Sequence, residues 1–132
     1  MRFMLMMNVP RGTGIYQISG WKPEEFEAHM NFMHSLNKEL VEAGEFVTAE
    51  GLAAPGEAKV VRASTNGGGP VTDGVFPESK EYLAGFWIID VDTADRAYAI
   101  AGKASAAPGP GGKPLIIPIE VRQVLQLPLP PT

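Results

Sequence analysis

Two apolar runs, Phe3-Met4-Leu5-Met6-Met7 and Phe86-Trp87-Ile88-Ile89, constrain this chain more than anything else in it. Neither alternates with polar residues, so each carries apolar side chains on both faces of the strand it forms. Strands of that kind belong inside a sheet with cover on each side. The first run is also compatible with one turn of buried helix, but Asn8-Val9-Pro10-Arg11-Gly12 ends it too early for that.

The elements around these runs follow in order. Pro23 is placed as a first helical residue, with Glu24, Glu25 and Glu27 at the positive end of the helix dipole. Lys22 then stands at the cap, where it has no oxygen to offer. This helix is expected to run to Ala43 and stop at Gly44. At about 100° per residue, Phe26, Met30, Met33, Leu36, Leu40 and Val41 share one arc. Asn31, Ser35, Lys38 and Glu42 lie opposite. His29 and Asn37 are the polar residues inside the apolar arc.

Glu45 to Leu52 reads as a strand, Ala53-Ala54-Pro55-Gly56 as a turn, and Lys59 to Thr65 as an extra hairpin strand closed by Asn66 to Pro70. After the Phe86 to Val91 strand, Asp92 or Thr93 caps a second helix to about Ala101. Its inward residues are Ala94, Ala97, Tyr98 and Ala101, and Gly102 ends it. Ala104 to Pro114 is a loop by composition. Leu115 to Leu125 is the last strand, with an edge or bulge at Pro118. Residues 1–125 form a single domain, and 126–132 an extended proline-rich tail.

Leaving the hairpin strand aside, the order is strand, helix, strand, strand, helix, strand. Two right-handed crossovers then make an α+β, ferredoxin-like βαββαβ layer. Its first and third strands are central, and these are the two runs without alternation. Both helices share one face of the sheet. The other face is left apolar and open, which marks an association surface. A homodimer with its two sheets face to face, a dimeric α+β barrel, is the expectation.

Composition removes several function classes. A chain of 132 residues, 45% apolar and 20% charged, is one globular domain. A net charge of −4 without a basic cluster leaves nothing to displace counterions from nucleic acid or to hold a membrane surface. The absence of cysteine excludes disulfides and thiolate ligands. No stretch approaches the length of a membrane span, and Phe3 to Met7 is too short for a signal-peptide core. Cytoplasmic localisation is expected.

The histidines, His29 and His34, lie five residues apart and so about 140° apart on a helix, which does not fit a shared metal. No metal or other cofactor is expected. The Gly-Pro-Gly-Gly-Lys-Pro segment lacks the Ser or Thr and the following helix that a phosphate loop needs. What remains is His29, read either as a core histidine with satisfied nitrogens or as a proton carrier in a pocket between helix and sheet. Asp73, in the turn before the central strand, is its candidate orienter, or else a residue bonding its own backbone. Asn37, Glu78 and Lys80 are candidate ligand contacts. The Glu78, Lys80, Glu81 run is otherwise a solvated charged surface.

The stretch Val71 to Gly85, Val-Thr-Asp-Gly-Val-Phe-Pro-Glu-Ser-Lys-Glu-Tyr-Leu-Ala-Gly, resembles the signature of the YCII-related superfamily. It is similar to the branch named for an Asp-Gly-Pro-Phe turn, keeping Asp73, Gly74, Phe76, Glu78, Lys80 and Glu81 with Val75 in place of proline. Ile119-Glu120-Val121-Arg122 is the second most specific segment. The resemblance implies a dimeric α+β barrel and a helix-one histidine paired with an aspartate. His29 is the match here, while alignment from the second strand places Met33 there. A few members of that superfamily are dehydrochlorinases of hydroquinone-type aromatics, and related domains occur beside sigma-factor regulators.

Two functions are therefore expected from different classes. One is a cofactor-free small-molecule enzyme with His29 as proton carrier and Asp73 as its orienter. The other is a non-catalytic dimeric module that binds a small ligand or a protein partner, in which the Leu127 to Thr132 tail docks.

Overall fold

The computed structural model of the chain describes residues 1–11, 18–63, 71–73 (backbone alone) and 80–127. The expected Asp73-Gly74 turn, the Asn66 to Pro70 hairpin end, Glu78 and the end of the tail lie outside the described residues. The elements are β1 (Arg2–Pro10), α1 (Pro23–Glu42), β2 (Phe46–Gly51), β3 (Lys59–Val61), β4 (Val71–Asp73), β5 (Glu81–Asp90), α2 (Ala94–Ser105) and β6 (Ile119–Gln123). Four strands form one antiparallel sheet in the order β2-β5-β1-β6, and β3 pairs with β4 apart from it. This is the expected α+β, ferredoxin-like arrangement, with β1 and β5 at the centre.

Phe3, Leu5, Met7 and Val9 of β1 are buried, while the residues between them are half-buried. Leu5 stands opposite Trp87 on one side and Val121 on the other, so these side chains share the covered face. Leu36 and Leu40 of α1 and Ala97, Ile100, Ala101 and Ala104 of α2 join the same core cluster. Both helices therefore lie on this face. The other parity carries Met4, Met6, Phe86 and Ile88 at the centre of the opposite face, with Glu50, Glu120 and Arg122 on the outer strands.

The register contains two irregularities. Between β1 and β5, Met7 pairs with Gly85 but Asn8 pairs with Leu83, so Ala84 is an extra residue. Between β2 and β5, Phe46 pairs with Ile89 and Thr48 with Ile88, so Val47 is extra. At Gly85 the strands meet closely: a Cβ there would lie 2.9 Å from the Glu50 carbonyl oxygen.

Several expected boundaries move. β5 begins at Glu81, five residues before the apolar run, because the Glu81 to Gly85 segment pairs with the end of β1. α2 continues through Gly102 to Ser105, carried by the burial of Ile100 and Ala104 on either side of it. Tyr98 is 55% exposed, and the buried residues of α2 are Ala97, Ile100, Ala101 and Ala104. Phe26 and Val41 are likewise exposed at the margins of the α1 stripe. The last strand starts at Ile119, since Pro118 has no N–H to pair and Ile116 holds a left-handed backbone with φ 54°. Gly44 ends α1 with φ 72°, as the sequence suggests.

Candidate functional site

The site is assembled at one end of the sheet, where β1 runs out and β5 begins. The stripe His29, Leu36, Leu40 is the buried face of α1, at spacings of seven and four that stack on one side of a helix. Leu36 and Leu40 meet the sheet core. His29, two turns nearer the helix start, lines a pocket of about 630 Å³. Met7 and Val9 of β1, Tyr82 and Ala84 of β5, Trp21, Leu115 and Ile117 supply much of its wall. Leu52 to Pro55 close another side, and Arg11, Ile18 and Ser19 complete the lining. Apolar groups dominate, and His29, Tyr82, Ser19 and Arg11 bring the polar side chains.

His29 is 7% exposed and held from two directions. Its Nδ1 lies 2.9 Å from the Pro108 carbonyl oxygen. A carbonyl accepts only, so Nδ1 carries the proton and donates it. The Trp21 ring meets the imidazole edge-on, with centroids 5.3 Å apart and planes at 77°. Among the described residues no buried side-chain nitrogen or oxygen lacks a partner. With Nδ1 spoken for by Pro108, Nε2 is left as the nitrogen that opens to the pocket. In the neutral ring that nitrogen holds a lone pair and no hydrogen.

The Pro108 carbonyl is itself positioned by the segment between α2 and β6. Composition alone reads this segment as loop, yet it is tied down along its length. Ala107 is fully buried, Gly109 donates to Lys113, Leu115 donates to Ala107, and Ile117 donates to Ser105. The Ser105 hydroxyl also donates to the Ile117 carbonyl at 2.7 Å. Gly111 and Gly112 take φ values of 70° and 73°, which a residue with a Cβ adopts rarely. The Gly111 N–H donates to Glu25 Oε2 at 2.6 Å, so the segment is strapped onto the first turn of α1. Glu25 Oε1 also accepts from the Lys22 N–H at 2.9 Å, half of a capping box that makes up for the missing cap oxygen. The Gly111 and Lys22 N–H donors hold the Glu25 carboxyl below the usual carboxylate range.

The other residues singled out in the sequence are dispersed. Asn37 Oδ1 accepts from Trp87 Nε1 at 2.8 Å, satisfying an indole that lies across the core from α1. Lys80 is exposed, and its carbonyl accepts from the Arg11 N–H at 2.9 Å, which joins the end of β1 to the start of β5. Neither lines the pocket. Asp73 stands in β4 opposite Lys59, and its side chain lies outside the described residues, as does Glu78. The contribution that sequence reasoning missed is the strap. The spacing of Glu25 from His29, one helical turn, is the only sequence trace of it.

A family model of the YCII-related domain matches residues 1–109, which takes in the sheet centre, both helices and the His29–Pro108 contact. An uncharacterized protein of Rhizobium meliloti (strain 1021) is 33% identical over 110 residues, covering 83% of this chain and 88% of that protein. Its name assigns no activity. With the match reaching from β1 through α2, the chain belongs to the YCII-related domain family.

Proposed function

We propose that the chain is a cofactor-free small-molecule enzyme in which His29 moves a proton at Nε2. The observation that carries this reading is the setting of the imidazole: Nδ1–H is fixed on the Pro108 carbonyl while His29 lines a pocket of ligand size, which leaves Nε2 to meet a bound molecule. A neutral Nε2 takes a proton from a bound molecule and becomes an imidazolium whose Nδ1–H stays on Pro108. Returning that proton at another atom of the same molecule gives isomerisation; delivering it to a departing group gives elimination. Asp73 is proposed as the carboxylate that stabilises the imidazolium, and membership of the Asp-Gly-Pro-Phe branch is proposed from Asp73, Gly74 and Phe76. Glu78 is proposed only as a secondary contact of a ligand, whereas Asn37, engaged with Trp87, and Lys80 lie outside the pocket lining.

We further propose that the chain acts in the cytoplasm as a homodimer, joined through the sheet face that carries Met4, Met6, Phe86 and Ile88. Nucleic acid is not a partner in this reading, given the net charge of −4. One observation favours a second reading, a non-catalytic ligand- or partner-binding module. The Nδ1 partner of His29 is a backbone carbonyl, an anchor that serves a binding pocket as well as a catalytic one.

An NMR pH titration of the two histidines, in wild type and Asp73→Asn, separates the readings. A His29 pKa displaced from that of His34, with the displacement lost in the variant, supports a coupled proton-transfer pair. A His29 that does not titrate, or that titrates identically in both proteins, removes the enzyme and leaves the binding module.

A further inference from the structure

The geometry points to the class of molecule the pocket takes: an uncharged, largely apolar compound with one O–H or N–H donor, which it gives to His29 Nε2. This rests on the reading that His29 faces an open ligand pocket, and it goes beyond that reading by stating what the pocket selects.

The first argument is the hydrogen-bond polarity. Pro108 fixes the proton on Nδ1, so neutral His29 offers the ligand an acceptor and nothing else. A ketone or ether oxygen placed there meets a lone pair with a lone pair. A buried acceptor that a ligand fails to satisfy is penalised, which is how such sites reject analogues lacking the donor.

The second argument is charge. His29 is buried, packed edge-on against Trp21, and shares the pocket wall with Met7, Val9, Leu115 and Ile117. An anion brought to that depth loses its hydration and, among the described residues, gains no buried cation beside it. Arg11 is the cationic member of the described lining, and it is exposed. An exposed guanidinium in water attracts an anion weakly, by too little to repay burial of the charge. The pocket therefore selects neutral molecules, and its polarity is concentrated at one end.

The test uses three probes of one shape: 4-tert-butylcyclohexanol, 4-tert-butylcyclohexanone and 4-tert-butylcyclohexanecarboxylate. Each is titrated into the wild-type chain at pH 8 while the ring nitrogens and protons of both histidines are followed by NMR. Exposed His34 is the internal control, and His34→Gln assigns the spectra without touching the pocket. The alcohol is expected to move the His29 Nε2 resonance and leave His34 still, with a Kd about tenfold below that of the ketone, the value of one hydrogen bond. The carboxylate is expected to bind more weakly than either. If the ketone or the carboxylate binds as tightly as the alcohol and moves His29, the proposed selectivity is wrong while the pocket reading stands. If none of the three moves His29, both are overturned, because the pocket does not admit a ligand.

Discussion

At the scale of single residues, backbone strain among the described non-glycine residues is found at Ile116. A β-branched side chain sits at φ 54°, between Leu115 and Ile117, which are both buried in the pocket wall. The left-handed region costs an L-residue roughly 1–2 kcal/mol, and Asn tolerates it far better. Ile116 is itself 66% exposed, so little packing is lost on replacing it. Ile116→Asn is expected to raise stability by about 1 kcal/mol in urea denaturation; a loss of that size would show that the Ile116 side chain matters more than its backbone. Residue-scale reading of the sequence found the two polar positions in the α1 arc, because periodicity reports them directly. It did not find their partners. His29 bonds a residue 79 positions away and Asn37 one 50 positions away, distances over which spacing carries no information.

Elements were legible wherever one face dominates the pattern. α1 is found with both ends right, by Pro23 and Gly44, and β1 and β5 are recognised by their apolar runs. Gly102 reads as a terminator in the sequence, which ends α2 too early. In the fold, burial of Ile100 and Ala104 outweighs a propensity cost of about 1 kcal/mol. That cost is recoverable: Gly102 is helical, and nothing lies within 4 Å of a Cβ added there. Gly102→Ala is expected to stabilise the protein by about 1 kcal/mol, read as a shift in denaturation midpoint at unchanged slope. α2 is also stitched to the start of β2. Arg96 Nε and Nη2 donate to the two oxygens of Glu45 at 2.9 and 2.8 Å, which lowers the Glu45 pKa and raises that of Arg96. A carboxyl whose pKa is lower in the folded state stabilises the fold above its unfolded value, about 4.3, and that support disappears as pH falls through the lower folded value. Half-exposure of Arg96 keeps the effect to about 1 kcal/mol. Glu45→Gln is therefore expected to lose about that much at pH 7 and to converge with wild type in stability as pH falls through the lowered Glu45 value. A deficit that persists undiminished in acid would assign it to packing instead.

At the scale of the whole molecule, the sheet has one face covered by two helices and another that is apolar at its centre. This asymmetry is legible in the sequence, since a run without alternation needs cover on both sides and two helices cannot supply it. We expect the chain to sediment at twice its 14.1 kDa mass, and Ile88→Lys to return it to that of a single copy. Dimers that survive the substitution undiminished would place the contact elsewhere. The pocket was not legible in the same way, because its walls come from both crossovers at once. Nor was the bulge at Ala84, which has a further consequence. By inserting one residue it reverses the parity of everything before it in β5, so Tyr82 stands opposite Val9 on the pocket side. Without it, Leu83 would face inward and Tyr82 outward. A relative that lacks this single residue would thus present a different wall to its ligand despite matching the letters on either side. Among such proteins, percentage identity across this strand is a poor guide to shared specificity, and the presence or absence of one residue is a better one.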